Sequence, residues 1–87
     1  MAFTVGQRVA LLVGLGSDPQ ATGVVVQASP IRALVSFDGW GTSPVEFRQA
    51  VAPSWVRDQA AADGQPLPPV RWVAKGWDWD SPEIQPV

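Results

Sequence analysis

The chain has no cysteine, no histidine and no tyrosine. Without cysteine there is no disulfide framework and no thiol nucleophile. Without cysteine or histidine a zinc site built on those ligands is excluded, as is every triad or acid–base mechanism that needs imidazole. Charge is also sparse, at 16% of residues, and six basic against eight acidic residues leave a net charge of −2. Arg8, Arg32, Arg48, Arg57, Arg71 and Lys75 are scattered with no basic run, so the footprint of a phosphate binder is missing and direct contact with nucleic acid is disfavoured. No stretch approaches the roughly 20 apolar residues that span a bilayer as a helix. Against these shortages stand 5 Trp, 8 Gly and 9 Pro in 87 residues. A chain this short is one small domain that buries only about 60–65% of its unfolded surface, so its core must be economical.

The first half reads as β-structure. Val5, Val9, Leu11 and Val13 share one parity, and Ala10 and Leu12 make the other side apolar too, as in a strand covered on both faces. This run follows a single Arg8 and precedes no small-x-small cleavage site, so it reads as a strand rather than a leader, and a cytoplasmic setting is expected. Residues 14–20 are dense in breakers and read as a loop. Thr22 to Ala28 is strand-like, and Ser29-Pro30 ends it. Residues 32–37 alternate, with Ala33, Val35 and Phe37 on one side. Asp38-Gly39 signals a hairpin turn, and Val45 and Phe47 alternate with Glu46 and Arg48. After Pro53, Ser54 is a candidate N-cap for a short helix packed by Trp55 and Val56, with Gly64 as its left-handed terminator. Pro66-Leu67-Pro68-Pro69 reads as a stiff extended linker, although its P-x-x-P spacing also suits an aromatic-lined groove. Val70, Trp72 and Ala74 alternate with Arg71 and Lys75 in a last strand. Two regions are expected: a barrel over residues 1–75 and an extended acidic, Trp- and Pro-rich tail over 76–87. The tail side holds the charge imbalance, since Asp63, Asp78, Asp80 and Glu83 outnumber Arg71 and Lys75 there.

The order of these elements resembles a small SH3-like barrel of the KOW or Tudor type over about residues 5–52. The resemblance rests on Val5-Gly6-Gln7-Arg8-Val9, on Gly23-Val24-Val25 and on Leu34-Val35-Ser36-Phe37-Asp38-Gly39. It implies a mainly β fold of about five strands closing on themselves, which removes exposed edges and suits a small core. The basic loop residues of nucleic-acid-binding KOW modules are absent, and the segment after residue 53 has no counterpart in the minimal barrel. In Tudor-type relatives aromatics at the barrel mouth cage a methylated lysine or arginine. By resemblance Phe37 and Trp40 flank that position.

The candidate partner-binding residues are Trp40, Trp77, Trp79, Phe37 and Trp55. Parity puts Phe37 and Phe47 in the core, and Trp55 is expected to seal a barrel end. Trp40 lies between two glycines, where its own hairpin cannot easily bury it. In Trp77-Asp78-Trp79-Asp80 an extended chain would present both indoles on one face and both carboxylates on the other. Such a strand either docks on a partner or folds back to seal its own barrel. Asp78, Asp80 and Glu83 are too few for a calcium loop, and Pro82 stiffens the segment, so no metal and no cofactor is expected. No catalytic residue is expected, because the serines lack an imidazole partner and any nucleophile-elbow context. The sequence therefore leads to a non-enzymatic protein-binding module. A homo-oligomeric assembly protein of a phage or mobile element, or an accessory factor touching nucleic acid or its machinery, are the alternatives.

Overall fold

In the computed structural model, which describes residues 3–12, 19–41 and 43–87, six strands close an antiparallel barrel. They are β1 (Arg8–Leu12), β2 (Pro19–Ala28), β3 (Arg32–Phe37), β4 (Val45–Ala50), β5 (Arg71–Ala74) and β6 (Glu83–Pro86), with one helix, α1 (Ser54–Ala62), between β4 and β5. Each strand pairs with its successor, and β6 returns to pair with β1. Six strands are present rather than about five. The additional one, β6, comes from the C-terminal segment and inserts Ile84 into the core. Among the described residues no helix is long and apolar enough to cross a membrane.

The alternation in β3 is realised as read, with Ala33, Val35 and Phe37 buried between more exposed neighbours. They meet Val9, Leu11, Val25, Phe47, Trp72, Ala74 and Ile84 in one core cluster. Phe3 closes this core at the N-terminal side by an edge-on contact with Trp72, ring centroids 5.1 Å apart. Val5 does not extend β1. It is exposed in a turn where Gly6 adopts φ 89°, a conformation that a β-branched residue would not tolerate. Of the loop expected over 14–20, residues 14–18 lie outside the described residues, as does Val13, whereas Pro19 and Gln20 already belong to β2.

β2 is the strand on which curvature depends. It serves β1 through Pro19–Val24 and β3 through Gly23–Ala28, with a register shift between Val25 and Gln27 that leaves Val26 facing out. Such a bulge bends a strand and sharpens its twist, which a small barrel needs in order to close. Gly23 sits where the two pairings overlap. A Cβ there would lie 2.6 Å from the Ser36 carbonyl oxygen and 3.0 Å from Phe37 Cα, so glycine is required for close approach of two backbones.

Beside this crossing, Arg8 Nη2 donates to Asp38 Oδ2 at 2.6 Å, and the Thr22 hydroxyl donates to the same oxygen at 3.0 Å. These bonds tie β1, β2 and the end of β3 together. The Arg8 guanidinium, with the Thr22 hydroxyl second, holds the Asp38 carboxyl below its usual pKa. The Arg48 guanidinium does the same for Glu46 on β4.

Two outcomes are expected. Gly23→Ala lowers stability by about 1–3 kcal/mol, read as a drop in the urea midpoint at unchanged slope. Both carboxyl pKa values are depressed in the folded state, so their contribution is complete above the ordinary carboxylate pKa of about 4. It is lost as the pH falls from there through the folded values. Urea midpoints taken between neutral and strongly acidic pH should therefore fall, and Asp38→Asn should flatten that fall.

Candidate functional site

The chain leaves β4 through Val51 and the buried Ala52, and Pro53 starts α1. Pro53 occupies the N-cap position with φ −54° and ψ 152°, and no side chain caps the helix. Ser54 is thus the first helical residue rather than the cap, since the fixed φ of proline already sets the entry. At the other end Gly64, at φ 70°, ends the helix. Gly64 N–H donates to the Ala61 carbonyl and Gln65 N–H to that of Ala60, a Schellman arrangement. The helix is nine residues long and not one of them is buried. Trp55 does not seal the barrel end. It is 67% exposed, because the core beneath is already completed by Phe47, Trp72 and Ile84.

The segment after β5 faces α1. Gly76, at φ 86°, turns the chain, and Trp77 N–H donates to the Ala74 carbonyl at 2.9 Å. A second turn follows, in which Ser81 N–H donates to the Asp78 carbonyl. Trp77 and Trp79 therefore lie on a doubly turned connection and not on a continuous extended strand, so simple period-two alternation does not describe them. Trp77 is 49% exposed. Trp79 is half-buried, and its indole N–H donates to the Pro69 carbonyl at 2.9 Å. The proline-rich stretch thereby anchors Trp79.

Parity misplaces two residues of this run: Val70, expected on the apolar side, is exposed and precedes β5, and Arg71 is buried. Alternation put it on the wet side of β5, yet it is 8% exposed. It lies on the outer face of the barrel, and the returning chain covers it. Its Nε is 3.2 Å from Glu83 Oε1, Nη1 donates to the Trp79 carbonyl, and Cζ stands 5.4 Å from the Trp79 ring centroid. Its Nη2 is buried without a hydrogen-bond partner among the described residues. Glu83 is thus committed to Arg71, away from any set with Asp78 and Asp80. Among the described residues no three carboxylates gather as a metal site would require.

Together α1 and the 77–80 segment enclose a groove of about 620 Å³. Trp55 and Val56 form one wall, Trp77 and Trp79 with Asp78 and Asp80 the other, and Val51 and Pro53 the floor. Of the five candidate partner-binding residues, this groove brings together Trp55, Trp77 and Trp79. Trp40 lies on the β3–β4 connection, 47% exposed, its ring 4.5 Å from that of Phe37. Phe37 is buried in the core, with its ring 5.8 Å from that of Phe47, so it supports Trp40 from beneath. Phe37 and Trp40 form a stacked pair, not an open cage. Val51 and Val56 were not anticipated as part of a surface site, although Val56 follows Trp55 directly and Val51 lies four residues before it at the strand-to-helix junction.

Comparison with known proteins returns no matching family model, no matching curated protein and no matching solved structure.

The Arg71–Glu83 pair can be tested by a double-mutant cycle. Arg71→Ala leaves Glu83 half-enclosed and unpaired, and should cost about 3–5 kcal/mol in chemical denaturation. Glu83→Gln should be costly for the converse reason. The volume-matched double substitution Arg71→Met with Glu83→Leu should recover most of the loss, giving a coupling of about 1–3 kcal/mol.

Proposed function

We propose that the protein is a non-enzymatic protein-binding module of SH3-like, KOW/Tudor-type architecture, and that it engages its partner through the groove between α1 and the Trp77–Asp80 segment. The observation that supports this most is the placement of Trp55. A nine-residue helix with no buried residue holds its largest apolar side chain in solvent, on the same groove as Trp77. Burying a large apolar side chain is worth about 1.5–3 kcal/mol, and a domain this small would gain from burying both indoles. Tryptophans clustered in one groove are the side chains that dominate interface energetics. The reading includes a cytoplasmic setting.

The homo-oligomeric alternative through free strand edges has less support, because every strand of the closed barrel has a neighbour on each side. Direct nucleic-acid contact has less support as well, because the groove is flanked by Asp78 and Asp80 and, among the described residues, lined by no basic one.

The test compares baits in a pull-down from host extract, read by quantitative mass spectrometry. The double variant Trp55→Ala, Trp77→Ala should melt as cooperatively as the parent, since neither side chain is in the core. Proteins retained by the parent should be lost on that bait and kept on a Trp40→Ala bait. Equal retention on all three baits would sink the reading. Trp79→Ala is the contrasting case: it removes the cover of Arg71 and should lower the melting temperature.

A further inference from the structure

The charges of the molecule sort into those already satisfied and those left over. Arg8 pairs with Asp38, Arg32 and Arg48 with Glu46, and Arg71 with Glu83. Among the described residues Asp58, Asp63, Asp78 and Asp80 then have no ion-pair partner, against Arg57 and Lys75. Two of these four carboxylates line the tryptophan groove, and no basic residue does. A third, Asp58, follows Trp55 by three residues on α1, which puts it one turn along the same helix face.

The molecule also contains a worked instance of what such a setting holds. Behind the groove wall, the Arg71 guanidinium lies against the Trp79 ring at 5.4 Å with a Glu83 carboxylate oxygen at 3.2 Å. That trio is a cation between an indole face and a carboxylate. The groove repeats two of its three members on the solvent side, with Trp55 and Trp77 as indoles and Asp78 and Asp80 as carboxylates, and lacks the cation.

We infer that the occupant of the groove is an extended segment of a partner protein that carries arginine or lysine side chains between apolar ones. The cations supply the missing member against indole and carboxylate, and the apolar side chains cover Val51 and Val56. Cation–π attraction and charge-assisted bonding then act on the same side chain. The carboxylates repel phosphate and acidic segments, which gives the groove selectivity against anionic partners. This inference rests on the groove being the docking surface proposed above.

The test is fluorescence anisotropy with three fluorescein-labelled nonapeptides, identical except for Arg, Gln or Glu at three positions interspersed with Leu and Ser. The Arg peptide should bind at least about ten-fold more tightly than the Gln peptide, a difference near 1.4 kcal/mol. Its affinity should fall with added salt, and the Glu peptide should not bind. Asp78→Asn with Asp80→Asn should bring the Arg peptide to the affinity of the Gln peptide. Equal binding of the Arg and Gln peptides, both lost in the Trp55→Ala, Trp77→Ala variant, would overturn the cationic preference while the docking surface stands. Arg-peptide binding that survives both double variants would locate it elsewhere and overturn the inference, as would no binding of any peptide to the parent. Tighter, salt-sensitive binding of a labelled oligothymidylate would assign the surface to nucleic acid. A concentration-dependent dimer, seen by light scattering and lost in Asp78→Asn with Asp80→Asn, would assign it to a second copy. Either result also overturns the inference.

Discussion

Arg71 stands where three pieces of chain must be held together: β5, β6 and the connection between them. The seam between β5 and β6 is short, with Val73 opposite Glu83 as its one registered pair. Backbone pairing alone gives this seam little, whereas β6 holds β1 over four pairs. The Arg71–Glu83 ion pair crosses the same seam from the outer face, and the bond from Arg71 to the Trp79 carbonyl fixes the connecting turn. A buried ion pair of this kind adds little net stability compared with well-packed apolar groups, because both charges give up hydration. Its effect lies in geometry. A guanidinium with one remaining unpaired nitrogen tolerates few arrangements of the chain around it. The β5–β6 seam and the path of the segment over it thus share one side chain, Arg71.

The parts of this fold that were legible in the sequence are those governed by local periodicity. β3 alternates because one face meets the core and the other is more exposed, and in β4 the same parity picks out Phe47 as the buried residue. Gly64 announces the helix end because only a left-handed residue completes that cap. Trp40 between two glycines is exposed for the local reason expected. The parts that were not legible depend on what lies across the chain. Glu83–Pro86 is four residues with one apolar side chain pointing in, too short for a period to show. Its strand character comes from the β1 edge that needs covering. Arg71 has the parity of a solvated residue, and only the return of residues 77–82 over β5 buries it. Trp55 was expected to seal a barrel end that Ile84 of the unforeseen sixth strand already helps to fill, so the indole was left outside.

The groove was half legible for the same reason. Trp77 and Trp79 drew attention as a pair with a period of two, but two successive turns give them different roles. Trp79 is built into the barrel through Pro69 and Arg71, while Trp77 remains presented to solvent. No local pattern could pair Trp77 with Trp55, which lies 22 residues earlier on a separate element. Their juxtaposition follows from the β4–β5 pairing, which brings Ala50 opposite Arg71 and so sets the start of α1 beside the end of the barrel where the tail crosses.

Barrel closure and the groove proposed as a docking surface are therefore physically coupled through the C-terminal segment. One face of Trp79 carries the cation that closes the barrel, and the residue also lines the groove. A partner docked on the proposed surface would press on the Arg71–Glu83 seam through Trp79. If the partner binds only the closed arrangement, it stabilises the β5–β6 seam by mass action. Conversely, loosening the seam should weaken binding even though neither Arg71 nor Glu83 lines the groove. The exposed indoles of Trp55 and Trp77 belong to the same logic. Among the described residues the barrel closes around a core of ten buried side chains, two of them phenylalanines and one a tryptophan, while Trp55 and Trp77 are held at its surface by elements whose positions the closure dictates.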